Sequence, residues 1–213
     1  MEAAAKPSLD QVRRFHLDRL NDILRRTPLW GGETALRLVG DSLAFIDGLE
    51  HAWKDEYERL RARGGANALG VRGAFGQHVY DGASDTAASS VYAEFAWRHG
   101  WLEPDRTLAD PDYRRLREEV ACWSDRDHDL DEVNAEFGPP SVLFGPNGPS
   151  SAKTLAYAPA SREQDLVAFH FDDAGGSRPG RSAVLLAVRL GHGRFPQAMV
   201  YTPLGRAYLD DPQ

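Results

Sequence analysis

The spacing of apolar residues changes near residue 140, and this change constrains the fold more than any motif does. Before it, apolar side chains recur every three or four positions between helix start and stop signals. From Ser141 to Leu209, short β-rich runs alternate apolar and polar residues between Gly/Pro turns. Helices followed by strands rarely build a parallel sheet, so the expected class is α+β. The expected architecture is an N-terminal helical region followed by a helix pair packed on a four- or five-stranded antiparallel sheet. The organisation read from this is a spacer-like segment at 1–8, a helical region at 9–108, and the helix pair with its sheet at 109–213. The last two can be one continuous domain.

In the first half, Ser8 and Gln11 form a capping-box pattern. Val12, Phe15, Leu20, Ile23 and Leu24 continue it as an apolar stripe, ended by Thr27-Pro28. A second helix is expected from Glu33 to Gly64-Gly65, with Leu36, Val39, Leu43, Ile46, Trp53, Tyr57 and Leu60 on its stripe. Gly40 and Gly48 each weaken that helix by about 1 kcal/mol relative to Ala, which predicts a kink or close packing there. Residues 66–85 are less regular, and a further helix spans about 86–99. Asp110-Pro111 is a helix start, with Tyr113, Leu116, Val120 and Trp123 on the buried stripe. A shorter helix over about 127–137 buries Leu130, Val133 and Phe137 before Gly138-Pro139-Pro140 stops it.

Strands are expected at 141–145, 153–158, 165–172, 183–190 and 197–202, with turns in the 145–150 and 174–180 loops. Alternation places Leu155, Tyr157, Val167, Phe169, Phe171, Val184, Leu186, Val188 and Leu190 on bulky faces. The opposite phase is mostly small (Ala156, Ala158, Ala168, Ala183 and Ala187) and carries His170 and Arg189. A small-residue face with a His and an Arg is either a shallow binding surface or the place where a second helix layer approaches closely. The predicted core includes Trp53, Tyr57, Leu116, Val120, Val133, Phe137, Phe169 and Leu186.

Composition removes several function classes. The net charge of -7 gives no overall pull toward nucleic acid, and suits solubility or a basic protein partner. A single cysteine, Cys122, excludes an intramolecular disulfide and a cysteine-based zinc cluster. No apolar run approaches the roughly 20 residues of a membrane span, and the N-terminus lacks the pattern of a signal peptide. A reduced, cytoplasmic location is therefore expected. The preference for Arg over Lys, with abundant Ala and Gly, fits a GC-rich bacterial genome and carries no mechanism.

The run Leu130-Asp131-Glu132-Val133, then Phe137-Gly138-Pro139-Pro140-Ser141, then Leu155-Ala156-Tyr157 and Phe169-His170-Phe171 resembles the BamE and β-lactamase-inhibitor-protein-like folds. The resemblance covers about forty residues. It implies two helices against a four-stranded antiparallel sheet, serving as a binding module.

Candidate chemistry is sparse. Asp125, Asp127, Asp129, Asp131 and Glu136 occupy positions 1, 3, 5, 7 and 12 of a calcium-loop pattern. Leu130 stands where that loop needs glycine, and Gly138-Pro139-Pro140 forbids an exit helix. An acidic helix start without bound metal is therefore expected. Gly70, Gly73 and Gly76 match neither a dinucleotide fingerprint nor a Walker A loop, and read as a mobile or tightly packed connector. Cys122 is expected to be inert core beside Trp123. The seven histidines show no metal-pair spacing, no serine-hydrolase elbow exists, and helix capping accounts for Asp81 and Asp85.

The function favoured at this level is a cytosolic, non-catalytic protein-binding component of immunity-like, inhibitor or adaptor type. No cofactor, nucleic acid or membrane is expected to be involved. The alternative is a small enzyme or anionic-ligand-binding protein with its site between the helical region and the small-residue sheet face. His170 and Arg189 are the residues expected to hold a partner carboxylate or an anionic ligand. An internal salt bridge from Arg189 to a helical Asp or Glu is the competing structural explanation. A third reading is a structural subunit that is stable mainly in an assembly.

Overall fold

The structure, a computed structural model, describes residues 6–76, 79, 84–173, 182–191 and 197–210. Most of the spacer-like segment, His78, Asp81, His192 and the 174–180 loop lie outside the described residues. The fold is α+β, with helices followed by a five-stranded antiparallel sheet in the order β1-β2-β3-β4-β5.

The helical region comprises α1 (Leu9–Arg25), a 3-10 turn (Thr27–Trp30), α2 (Gly32–Asp47), α3 (Glu50–Ala62), α4 (Gly70–Phe75) and α5 (Ser84–Arg98). Ser8 and Gln11 form the expected capping box on α1. On that helix Leu17 is buried whereas Phe15 points outward at 61% exposure. The single helix expected over 33–63 is two helices. Gly48, at φ 67°, ends α2 in a left-handed conformation that costs glycine little. Gly40 serves close packing, since a Cβ there would lie 2.6 Å from the Trp53 ring. Gly70 also has a specific cause. It sits at φ 85° with the Glu33 carboxylate against it, and Glu33 accepts from the Val71 and Arg72 backbone N–H groups at 2.8 and 2.9 Å. The anion position at the start of α4 is thus filled from within the chain.

The second half adds α6 (Asp110–Trp123) and α7 (Leu130–Phe137), then β1 (Val142–Phe144), β2 (Lys153–Tyr157), β3 (Val167–Asp172), β4 (Val184–Arg189), β5 (Met199–Tyr201) and α8 (Pro203–Asp210). Helices cover both sheet faces. Tyr113, Leu116 and Val120 of α6, with Leu130 and Val133 of α7, form one core with Leu155, Tyr157, Val167, Phe169, Phe171, Leu185 and Val188. The opposite face joins Val142, Phe144, Ala156, Ala158 and Ala187 to α1, α2, α4 and α5. The helix pair on antiparallel strands is present as the resemblance implies, but the sheet has a fifth strand and a second covered face.

One irregularity changes the strand phase. The β3–β4 register shifts between His170 and Phe171, so Phe171 faces Leu185 while Phe169 faces Val188. Leu185 therefore occupies the α6–α7 side in place of Val184 and Leu186, as expected when a bulge inserts one residue. Leu186 is nevertheless buried, as are Leu116, Val120, Val133 and Phe169, while Trp53, Tyr57 and Phe137 are half-buried. Cys122 is exposed, contrary to its reading as core. It follows the buried Val120 by two positions, about 200° around the helix, and so points away from the sheet.

Candidate functional site

The small-residue face meets α5. This helix is buried on nearly every side, through Ala87, Ala88, Ser89, Ser90, Ala93 and Ala96, and its small side chains admit close approach to the equally small face of the sheet. Two polar strand residues lie under it. His170 faces Ala187, and the adjacent pair is Ala168 with Arg189.

The two candidate residues share a face but have different surroundings. His170 is wholly buried and lies edge-on to Phe75 at 5.3 Å. Its Nδ1 is 3.0 Å from Thr154 Oγ1, which itself donates to Thr86 Oγ1 at 3.2 Å. With that hydroxyl proton engaged, Thr154 accepts, so His170 donates from Nδ1. Burial, reinforced by Arg189, pushes its pKa down to about 3, so the ring is neutral near pH 7. His170 does not line the cavity between α3, α5 and the end of β4.

Arg189 does. Its guanidinium forms an ion pair with Glu94 of α5 and donates to the Ser90 carbonyl at 3.1 Å. Arg98, one helical turn beyond Glu94, lies 3.2 Å from Glu94 and 3.0 Å from Glu56 of α3. Glu56 also pairs with Arg59 at 2.8 Å and lies 3.9 Å from Arg63. A chain of alternating charge therefore runs from the end of β4 across α5 to α3. Burial alone would push Glu94 up. The Arg189 and Arg98 charges, with the hydrogen bond from Arg189, hold it below the usual carboxylate value. Burial also opposes ionisation of Glu56, and Arg59, Arg98 and Arg63 overcome it.

This network floors a cavity of about 40 Å³ between α3, α5 and the end of β4. Trp53, Tyr57 and Leu60 of α3, with Val91 and Phe95 of α5, supply its apolar walls. The α3 residues recur at 53, 57 and 60, the stripe visible in the sequence. They are half-buried, packed against the core on one side and lining this cavity on the other. Trp53 is fixed from behind by donation to Asp41 at 2.6 Å and by edge contact with Phe95 at 4.6 Å. Two buried donors at this cavity, Arg63 Nε and Arg189 Nε, have no hydrogen-bond partner among the described residues. Glu56, Glu94 and Arg98 were not singled out from the sequence, and Arg63 drew notice there only as a cation at a helix C-terminus. Their one visible signal is the interleaving of charged residues with an apolar stripe at helical spacing.

The acidic string is dispersed among separate structural bonds. Asp129 caps α7 with Glu132 in a capping box. Asp127 accepts from the Leu204 backbone, Asp131 from Ser182 and Glu136 from Arg115. Among the described residues no group of three or more His, Cys, Asp or Glu is placed to hold a metal ion. No helix among them is long and apolar enough to cross a membrane. No family model, curated protein or solved structure matches the chain, so the functional reading stands on this geometry.

Proposed function

We propose that this protein binds a ligand through an anionic group seated in the α3–α5 cavity. The observation that supports it is the pair of buried, unpartnered guanidinium donors, Arg63 Nε and Arg189 Nε, at one apolar-walled recess. A buried donor without an acceptor costs about 1–3 kcal/mol, and a bound oxyanion would supply the missing acceptors. The carboxylates of the site are engaged by arginines, an arrangement suited to holding a charge in place. Calorimetric titration with acetate, inorganic phosphate and sulfate, alongside thermal shifts, tests the reading. Saturable binding weakened in Arg63→Gln is expected, and the absence of saturation by every anion at tens of millimolar would refute it.

A second reading, a cytoplasmic protein-binding component of immunity-like, inhibitor or adaptor type, is supported by a different surface. Leu38 and Phe45, seven residues apart on α2, are 63% and 74% exposed. The Arg13–Asp47 ion pair aligns the start of α1 with the end of α2 and brings Phe15 to the level of Phe45. Exposed apolar side chains grouped in this way suit a docking surface. Sedimentation of wild type against the Leu38→Glu/Phe45→Glu double variant tests for self-association through this face. In this reading the face meets protein, with no role for nucleic acid or membrane.

A further inference from the structure

We infer that the group seated in the cavity is a single carboxylate carried on an apolar body that remains outside, across the α3 rim. The inference rests on the anionic-ligand reading above and narrows it by size, charge and shape.

Size comes first. A water needs roughly 10–15 Å³ of such volume, so a cavity of about 40 Å³ takes a group of about three heavy atoms. Sites that enclose a whole metabolite are roughly ten times larger. Only a head group enters, and the rest of the ligand must lie beyond the mouth.

Charge selects the head group. With its immediate neighbours counted, the network sets four cations, Arg59, Arg63, Arg98 and Arg189, against three carboxyl groups, Glu56, Glu94 and Asp165, which leaves one positive charge uncompensated. A monoanion balances it. A phosphate dianion would bring a second negative charge against Glu56 and Glu94 at low local dielectric. A carboxylate also presents two coplanar oxygens, the acceptor geometry that matches a guanidinium fork.

Shape defines the body. Trp53, Tyr57 and Leu60 form the half-buried α3 wall of the recess, and Arg63 follows them on the same helix with its side chain 30% exposed. The anchor therefore stands at the mouth, where a carboxylate can be gripped while an aromatic or branched aliphatic body lies along the exposed part of that wall. Such a carboxylate belongs either to a free amphipathic acid or to the C-terminal residue of a polypeptide.

The experiment titrates the intact protein with 3-phenylpropionate, N-acetyl-Leu-Phe, N-acetyl-Leu-Phe-amide and inorganic phosphate by calorimetry. At least one of the two acids should saturate, with affinity at least about tenfold above the amide, and Arg63→Gln should lose at least about tenfold. Binding by the peptide acid but not by phenylpropionate assigns the source to a polypeptide terminus, and the reverse assigns a free acid. Equal binding of acid and amide overturns the inference, and the comparison needs no variant that must fold. Phosphate binding tighter than either acid overturns it while leaving the anionic-ligand reading standing. No saturation by any compound removes both.

Discussion

Replacing Arg189 by Met should strongly destabilise the protein, and the structure sets the size of the loss. Arg189 is 3% exposed and its partner Glu94 6%. Methionine keeps the apolar stem and deletes the charge, so Glu94 stays buried with Arg98 at 3.2 Å as its remaining cation. Breaking a buried ion pair costs about 3–5 kcal/mol, and the surviving Arg98 contact places the expected loss near the lower end, about 3 kcal/mol. At about 2–4 °C per kcal/mol for a chain of this size, the melting temperature should fall by roughly 6–12 °C. Urea denaturation at several pH values is the assay, because the loss carries a sign. In wild type, Glu94 sits below its unfolded value, so its contribution is present above the normal carboxylate range and is lost as pH falls through the folded value. Without Arg189, burial wins and the carboxyl takes up a proton more readily, so the deficit against wild type should shrink as pH falls. A loss below about 1 kcal/mol, the value of an exposed pair, would refute the description of this network as a buried one. A deficit independent of pH would refute its electrostatic origin.

Three further outcomes are expected. His170 has a folded pKa of about 3 against an unfolded 6.5, so its contribution is complete above pH 6.5 and is lost as pH falls. Between pH 6.5 and 5 it should remove about 2 kcal/mol, a loss absent from His170→Gln, and equal pH slopes in both proteins would contradict this. Gly40→Ala should destabilise by about 1–3 kcal/mol despite alanine's better helix propensity, because its Cβ meets the Trp53 ring; a gain in the urea midpoint would show that the ring yields freely. Cys122 should react with an aromatic disulfide reagent in the native protein at nearly its unfolded rate, and protection until denaturation would return it to the core.

Much of the fold was legible because its signals are local. Period-2 alternation and short connections specify antiparallel neighbours, and the strands lie within a residue or two of their expected ends. The α6–α7 pair was readable from Asp110-Pro111 and from the stripe through Tyr113, Leu116 and Val120. Departures came where a long-range contact overrides the pattern. The bulge after His170 moves Leu185 into the place assigned to its neighbours, and alternation within one strand carries no trace of it. The helix α8 was missed although Thr202-Pro203 has the same form as Asp110-Pro111. Thr202 accepts from the Gly205 backbone at 3.1 Å, as a capping residue does.

The site was half legible for the same reason. Strand parity brings His170 and Arg189 to one face, but parity is silent on what covers that face. The missing information lay in α5. Its sequence, SDTAASSVYAEFAWR, offers no continuous polar side, and a helix without one is normally enclosed. An enclosed α5 requires a partner for Glu94. The small-residue face, with Arg189 among alanines, is where a helix of alanines and serines fits closely. Glu94 and Arg189 are 95 residues apart, so the helical carboxylate that Arg189 called for could not be identified from the sequence. Each explains the other once the helix is placed. The same placement makes the α3 stripe a cavity wall as well as a core face. Among the described cations of the site Arg63 is then the most weakly paired, since Glu56 is 3.9 Å away and already held by Arg59 and Arg98. Arg189 builds the site and Arg63 is left to use it, so ligand affinity should follow Arg63 while stability follows Arg189.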